Sequence, residues 1–201
     1  MTSSARAAGA AAPRLPAHRL WSWPVRACAG LALLLAAAAV ALAQDSASAA
    51  AVKAAYLVKF LNYVDLPAAA FAQPDSPIVI GVAGADDVYA ELVQVLRERG
   101  AGARPVHARR LAEHEAPAGV QVLFIGAQID PQRSALAHAA RERPVLLVTD
   151  TSDGLKAGAC INFAIVHNRV RFEVSLDAAE RHSIRISSRV LALAERVVGV
   201  H

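Results

Sequence analysis

The sequence predicts an α/β domain: a mostly parallel sheet with flanking helices, closed by a C-terminal β-hairpin and a last helix. Two observations carry that reading. Short apolar runs (Ile78–Val82, Val120–Gly126, Val145–Val148) are separated by helix-patterned stretches, as expected of parallel strands covered on both faces. Later, Val170, Phe172, Val174 and Leu176 alternate with Arg171, Glu173 and Ser175, the period-two pattern of a half-buried strand. No internal repeat or long linker interrupts residues 51–201, so a single domain is expected there.

The N-terminus is a separate matter. Arg6, Arg14, Arg19 and Arg26 precede an uncharged run, Ala27 to Ala43, that ends Ala41-Leu42-Ala43. A basic region, a short apolar core and an A-x-A site together predict a cleaved secretory signal over 1–43. The run falls short of the ~20 residues a bilayer span needs. Export to the periplasm with a cut after Ala43 is the expectation, leaving residues 44–50 as a short leader.

Within the domain, Val52 to Val64 reads as a helix. Leu57, Phe60, Leu61 and Val64 follow the i, i+3, i+4, i+7 rule, and Pro67 stops it. Ile78–Val82 is a strand, Asp86 or Asp87 opens a helix to Arg99, and Arg104–Arg109 suits an edge strand. After the strand Val120–Gly126, Asp130-Pro131 is expected to open a helix to Arg143, with Pro where its missing N–H costs nothing. Val145–Val148 and Ile161–Val166 are strands, and His167-Asn168 is a turn tolerant of positive φ. Asp177–His182 is a helical turn. Ser187 or Ser188 is expected to cap a closing helix carrying Val190, Leu191, Leu193, Ala194, Val197 and Val198 on one side.

Charge and motifs narrow the function. Four of the 21 basic residues lie in the signal, so the exported part balances its 17 acidic ones. The basic footprint of a nucleic-acid binder is gone. Gly81-Val82-Ala83-Gly84 is neither G-x-G-x-x-G nor a P-loop, and Asp86 and Asp87 would repel a phosphate at that helix start. His107, His114, His138, His167, His182 and His201 share no metal-ligand spacing, and no G-x-S-x-G is present. No catalytic residue, metal or cofactor is therefore predicted. Cys160, alone after the signal, reads as a buried thiol within an apolar strand.

Three segments carry a resemblance. Gly158-Ala159-Cys160-Ile161-Asn162-Phe163, then Asn168 to Ala179, then Ile184 to Ala194 resemble the C-terminal signature of YfiR family proteins. The helix Val52 to Val64 is similar to that family's first helix. The resemblance implies a periplasmic, non-catalytic regulator that binds the outer part of an inner-membrane diguanylate cyclase and holds it inactive, tuning cyclic-di-GMP signalling; other relatives accompany sensor kinases. It also implies that Arg185 matches a ligand-contacting arginine, with Ser187 standing where a histidine is found. Redox-responsive members carry a cysteine pair near Cys160, whereas Asp150 to Ala159 supplies no second thiol here.

A partner surface has support outside the family. Tyr56, Phe60 and Tyr63 are three of the eight aromatics after the signal, and aromatics are enriched at interfaces. The same helix would serve equally as a cover for the sheet. A homodimer is expected, with the exposed face of the hairpin (Arg171, Glu173, Ser175) one place for it. The competing readings are a small-ligand-binding module, using a crevice near Asp86, Asp150 and Arg185, and a hydrolase whose site the sequence does not disclose.

Overall fold

The computed structural model describes residues 49–99 and 104–199. The predicted signal and its cleavage site lie outside these residues. The first helix, α1, is helical over 49–60. There follow β1 (Val64–Asp65), a 3-10 turn (Ala68–Ala70), β2 (Ile78–Ala83), α2 (Asp86–Glu98), β3 (Val106–Arg110), β4 (Val122–Ile125) and α3 (Ala135–Arg141). The chain continues through β5 (Leu146–Thr149), β6 (Ile161–Val166), β7 (Arg169–Ser175), α4 (Leu176–Arg181), β8 (Arg185–Ile186), α5 (Ser188–Leu191) and β9 (Arg196–Val198).

Seven strands form one sheet in the order β3-β2-β4-β5-β6-β7-β9. Strands β3 to β6 are parallel, and β7 returns antiparallel to β6. The expected fold class is thus the observed one. From β2 the chain moves to one side, and from β4 to the other. Right-handed crossovers in opposite directions put their helices on opposite faces. Two separate cores result. Val88 and Leu92 of α2 pack with Ile80, Val82, Val122, Phe124, Leu146 and Val148; Leu136, Ala137 and Ala140 of α3 pack with Leu123, Ile125 and Leu147. The alternation of neighbouring strand residues between the two cores is why these strands read as unbroken apolar runs.

Helix α1 shares the first face with α2, burying Ala54, Leu57 and Phe60 there. Its aromatic residues meet those of the hairpin: Phe60 lies 5.3 Å from Phe172 and 6.1 Å from Phe163, ring centre to ring centre.

On the opposite face the register lines up a polar row across four strands. Thr149 of β5 pairs with Asn162 of β6, Asn162 with Glu173 of β7, and Glu173 with Arg196 of β9. Thr149 Oγ1 donates to Asn162 Oδ1 (2.8 Å), and Arg196 Nε donates to Glu173 Oε1 (2.8 Å). Gly154 seats its backbone over the buried end of this row, where a Cβ would overlap both Thr149 Oγ1 and the Asn162 side chain.

Several boundaries move from their expected places. The stripe of α1 predicted helix as far as Val64, but 61–63 form a turn and Val64 enters β1. Pro131 does not open α3: Asp130–Arg133 is a turn, and Ser134 caps the helix by accepting from Ala137 N. The closing helix is reduced to Ser188–Leu191, after which Arg196–Val198 joins β7 as a parallel edge strand. His167 and Asn168 take positive φ (50° and 59°) in the hairpin turn, as expected.

Candidate functional site

Two groups of residues singled out in the sequence meet at a two-stranded ribbon apart from the main sheet. Helix α1 unwinds after Phe60, with Tyr63 N donating to Phe60 O (2.9 Å). Val64, only 7% exposed, anchors the emerging strand. From the other direction, α4 ends at His182, whose buried ring bonds through Nδ1 to the Arg143 carbonyl (2.6 Å). Ser183 then adopts φ 57° and turns the chain into β8. The strands pair antiparallel, Val64 opposite Ile186 and Asp65 opposite Arg185. One residue on, Ser187 N donates to Tyr63 O (2.9 Å).

Arg185 and Ser187 therefore sit beside Tyr63 and Asp65. Arg185 is exposed and forms no ion pair with a described residue. The Ser187 hydroxyl is buried and has no partner among the described residues, although Ser187 occupies the cap position of α5. A free guanidinium next to an unused hydroxyl and a partly buried tyrosine can recognise an acidic or hydrogen-bonding group.

The three aromatics expected on the first helix have different positions. Phe60 is 2% exposed and belongs to the core, so in this fold it offers no surface. Tyr56 is half-buried against Phe60 and Phe172, at 5.8 and 5.4 Å. Tyr63 is half-buried at the ribbon.

Asp86, Asp150 and Arg185, expected to border one crevice, lie on or beside three separate elements. Asp86 follows β2 and pairs with Arg110 (3.2 Å), whereas Asp150 follows β5, beyond β4, and pairs with Lys53 (2.6 Å). Arg185 lies on the ribbon. At the point where strand order reverses, between β2 and β4, a doubly wound sheet ordinarily opens a ligand cleft. Here Gly126 N donates to Ala83 O (2.8 Å), and a Cβ on Gly126 would overlap the Gly84 carbonyl. The backbones abut at that point.

Cys160 is buried and unpaired, and burial pushes its thiol up to about 12. Among the described residues, no cluster of three His, Cys, Asp or Glu is placed to hold a metal ion, and no helix is long and apolar enough to cross a membrane. The ribbon itself was not legible in the sequence. Each of its strands has two residues, too few to show a period, and Asp65 carried no signal of its own.

Compared with known families, residues 50–195 match the model described as YfiR/HmsC-like. No curated protein matches the chain.

Proposed function

The chain belongs to the YfiR/HmsC-like family, and from that premise we propose that it is an exported, non-catalytic regulator of an inner-membrane signalling enzyme. Its partner in this reading is the periplasmic part of a diguanylate cyclase or sensor kinase, which it inhibits, lowering cyclic-di-GMP output. The family match across residues 50–195 is the observation that carries it. The N-terminal pattern of basic residues, apolar run and Ala41-Leu42-Ala43 supports cleavage after Ala43 and a periplasmic location. Such a regulator acts by binding one state of its partner more tightly than the other, so the equilibrium shifts by the ratio of the two affinities.

We place partner or ligand contact at the ribbon. Arg185 and Ser187 supply polar recognition, Tyr63 and Tyr56 supply amphipathic surface, and Phe60 holds the helix that carries Tyr56 and leads into the turn bearing Tyr63. A homodimer is part of the same reading.

The test is capture of the tagged, exported protein from solubilised inner membranes, followed by identification of what accompanies it. Recovery of a diguanylate cyclase or sensor kinase with a periplasmic domain is expected. Arg185→Ala should reduce that recovery about tenfold, the loss of one charge-assisted contact, with an unchanged circular dichroism spectrum. Absence of any membrane signalling enzyme from the captured material would overturn the regulator reading. Full recovery by the variant would move the contact off Arg185.

A further inference from the structure

Strand β5 stops at Thr149, but its parallel neighbour β6 runs on to Val166. Their pairing ends at Thr149 opposite Asn162. Beyond this last pair β6 keeps its ladder to β7 on one side, while Ala164 to Val166 have no strand partner on the other among the described residues. The step between the two strand ends forms a notch of about 330 Å³, bordered by Lys53, Asp150, Thr151, Ile165, Glu173 and Arg196.

The notch contains polar groups whose capacity the fold leaves unused. The Asp150 side chain is 10% exposed; its Oδ2 takes the Lys53 ammonium at 2.6 Å, while its Oδ1 is buried without a partner among the described residues. Thr151 Oγ1, beside it, is in the same condition. A buried carboxylate oxygen without a donor is costly, so a site of this kind favours a molecule that supplies one.

Charge then selects the class of that molecule. The two cations of the notch are each paired with a carboxylate, Lys53 with Asp150 and Arg196 with Glu173. An anion would meet the carboxylates, and a cation would meet the ammonium and guanidinium. The open groups are mixed: Asp150 Oδ1 only accepts, the remaining Lys53 N–H groups only donate, and Thr151 Oγ1 does both. The free edge of β6 offers N–H and C=O alike. Hydroxyl groups, each a donor and an acceptor without charge, satisfy such a set. Ile165, 58% exposed, adds an apolar wall for the C–H face of a ring. The volume is at the lower end for ligand sites, suited to something the size of a monosaccharide.

We propose that this notch binds a small, neutral, polyhydroxylated molecule, a sugar or polyol, with one hydroxyl donating to Asp150 Oδ1 and accepting from Lys53 or Thr151. The site lies on the main sheet, not on the ribbon, and the proposal does not rest on the regulator reading.

The experiment is titration of the ¹⁵N-labelled exported protein with glucose, galactose, N-acetylglucosamine and glycerol, followed through its amide resonances. Glycine and inorganic phosphate serve as zwitterionic and anionic comparisons. At least one sugar or polyol should give saturable shifts at Asp150–Ser152 and Ala164–Ile165. Asp150→Asn should weaken that binding about tenfold or more. Thr151→Val, which leaves the Lys53–Asp150 pair in place, should weaken it several-fold with the remaining resonances unmoved. Three results would each overturn the proposal: no saturable shift at roughly 50 mM, well above the millimolar range of weak sites; equal binding by both variants; or saturable binding at the notch by glycine or phosphate alone.

Discussion

Cys160 shows how one side chain's surroundings decide its chemistry. It lies just before β6, with its N–H donating to Leu147 O and its carbonyl accepting from Ser175 N. Buried there, the thiol is pushed from its ordinary 9.0 up to about 12, with burial the dominant cause. A raised value in the folded state means that the unfolded chain ionises first. The thiol's contribution to stability is therefore complete below pH 9 and is lost as pH rises toward 12. Between those limits the native protein should lose up to ~1.4 kcal/mol per pH unit through this group. Urea denaturation at pH 8, 9 and 10 should show that extra slope in the native sequence and not in Cys160→Ala, since tyrosine ionisation is common to both. Equal slopes would mean that the thiol is not shielded. The burial of Cys160 was legible in the sequence from its apolar neighbours.

At the scale of elements, the C-terminal edge departs furthest from expectation. Val190, Leu191, Leu193, Ala194, Val197 and Val198 fit a helical stripe, but Val197 and Val198 fit a short strand as well. Tertiary context decides: Glu195 N donates to Phe172 O (2.8 Å), and Arg196 joins Glu173, so β9 becomes the edge of the sheet. The hairpin, by contrast, was legible throughout, because period-two alternation and a turn tolerant of positive φ agree. The Arg196 hydrogen bond is the main reason that the Glu173 carboxyl lies below its ordinary range, and Asn162 adds to it. A depressed carboxylate stabilises the fold above its ordinary range, and that contribution is lost as pH falls through the folded value. Arg196→Ala should therefore raise the Glu173 value and loosen β9 already at neutral pH, with less further loss as pH falls, because the acid-linked contribution is gone. Carboxyl-carbon NMR titration of Glu173 measures the first effect, and amide exchange of Val197 and Val198 the second. An unmoved Glu173 titration would show that the edge is held without this pair.

Across the whole molecule, what was legible followed from local rules and what was hidden followed from long-range pairing. Apolar runs separated by helices gave the parallel sheet, yet the two-residue ribbon that brings Tyr63 to Ser187 exists only because distant segments, residues 64–65 and 185–186, meet. The interface reading of the first helix divides in the same way: periodicity showed an apolar stripe, but only the packed sheet separates Phe60 in the core from the tyrosines at its margin. This division makes a prediction about the proposed complex. In the proposed exported form, residues 44–201, basic and acidic residues balance, so little long-range steering should operate. If the tyrosine margin dominates contact, the dissociation constant for the partner's periplasmic domain should change less than about threefold between 50 and 500 mM salt, because apolar burial is not screened. Arg185 is the ribbon's unpaired cation, and dominance by it would weaken binding about tenfold or more over that range. Biolayer interferometry on the captured partner domain, with Tyr63→Ala and Arg185→Ala side by side, decides between them. A flat salt response lost only in the tyrosine variant assigns the contact to the turn that follows α1, whereas a steep response abolished in the arginine variant assigns it to β8.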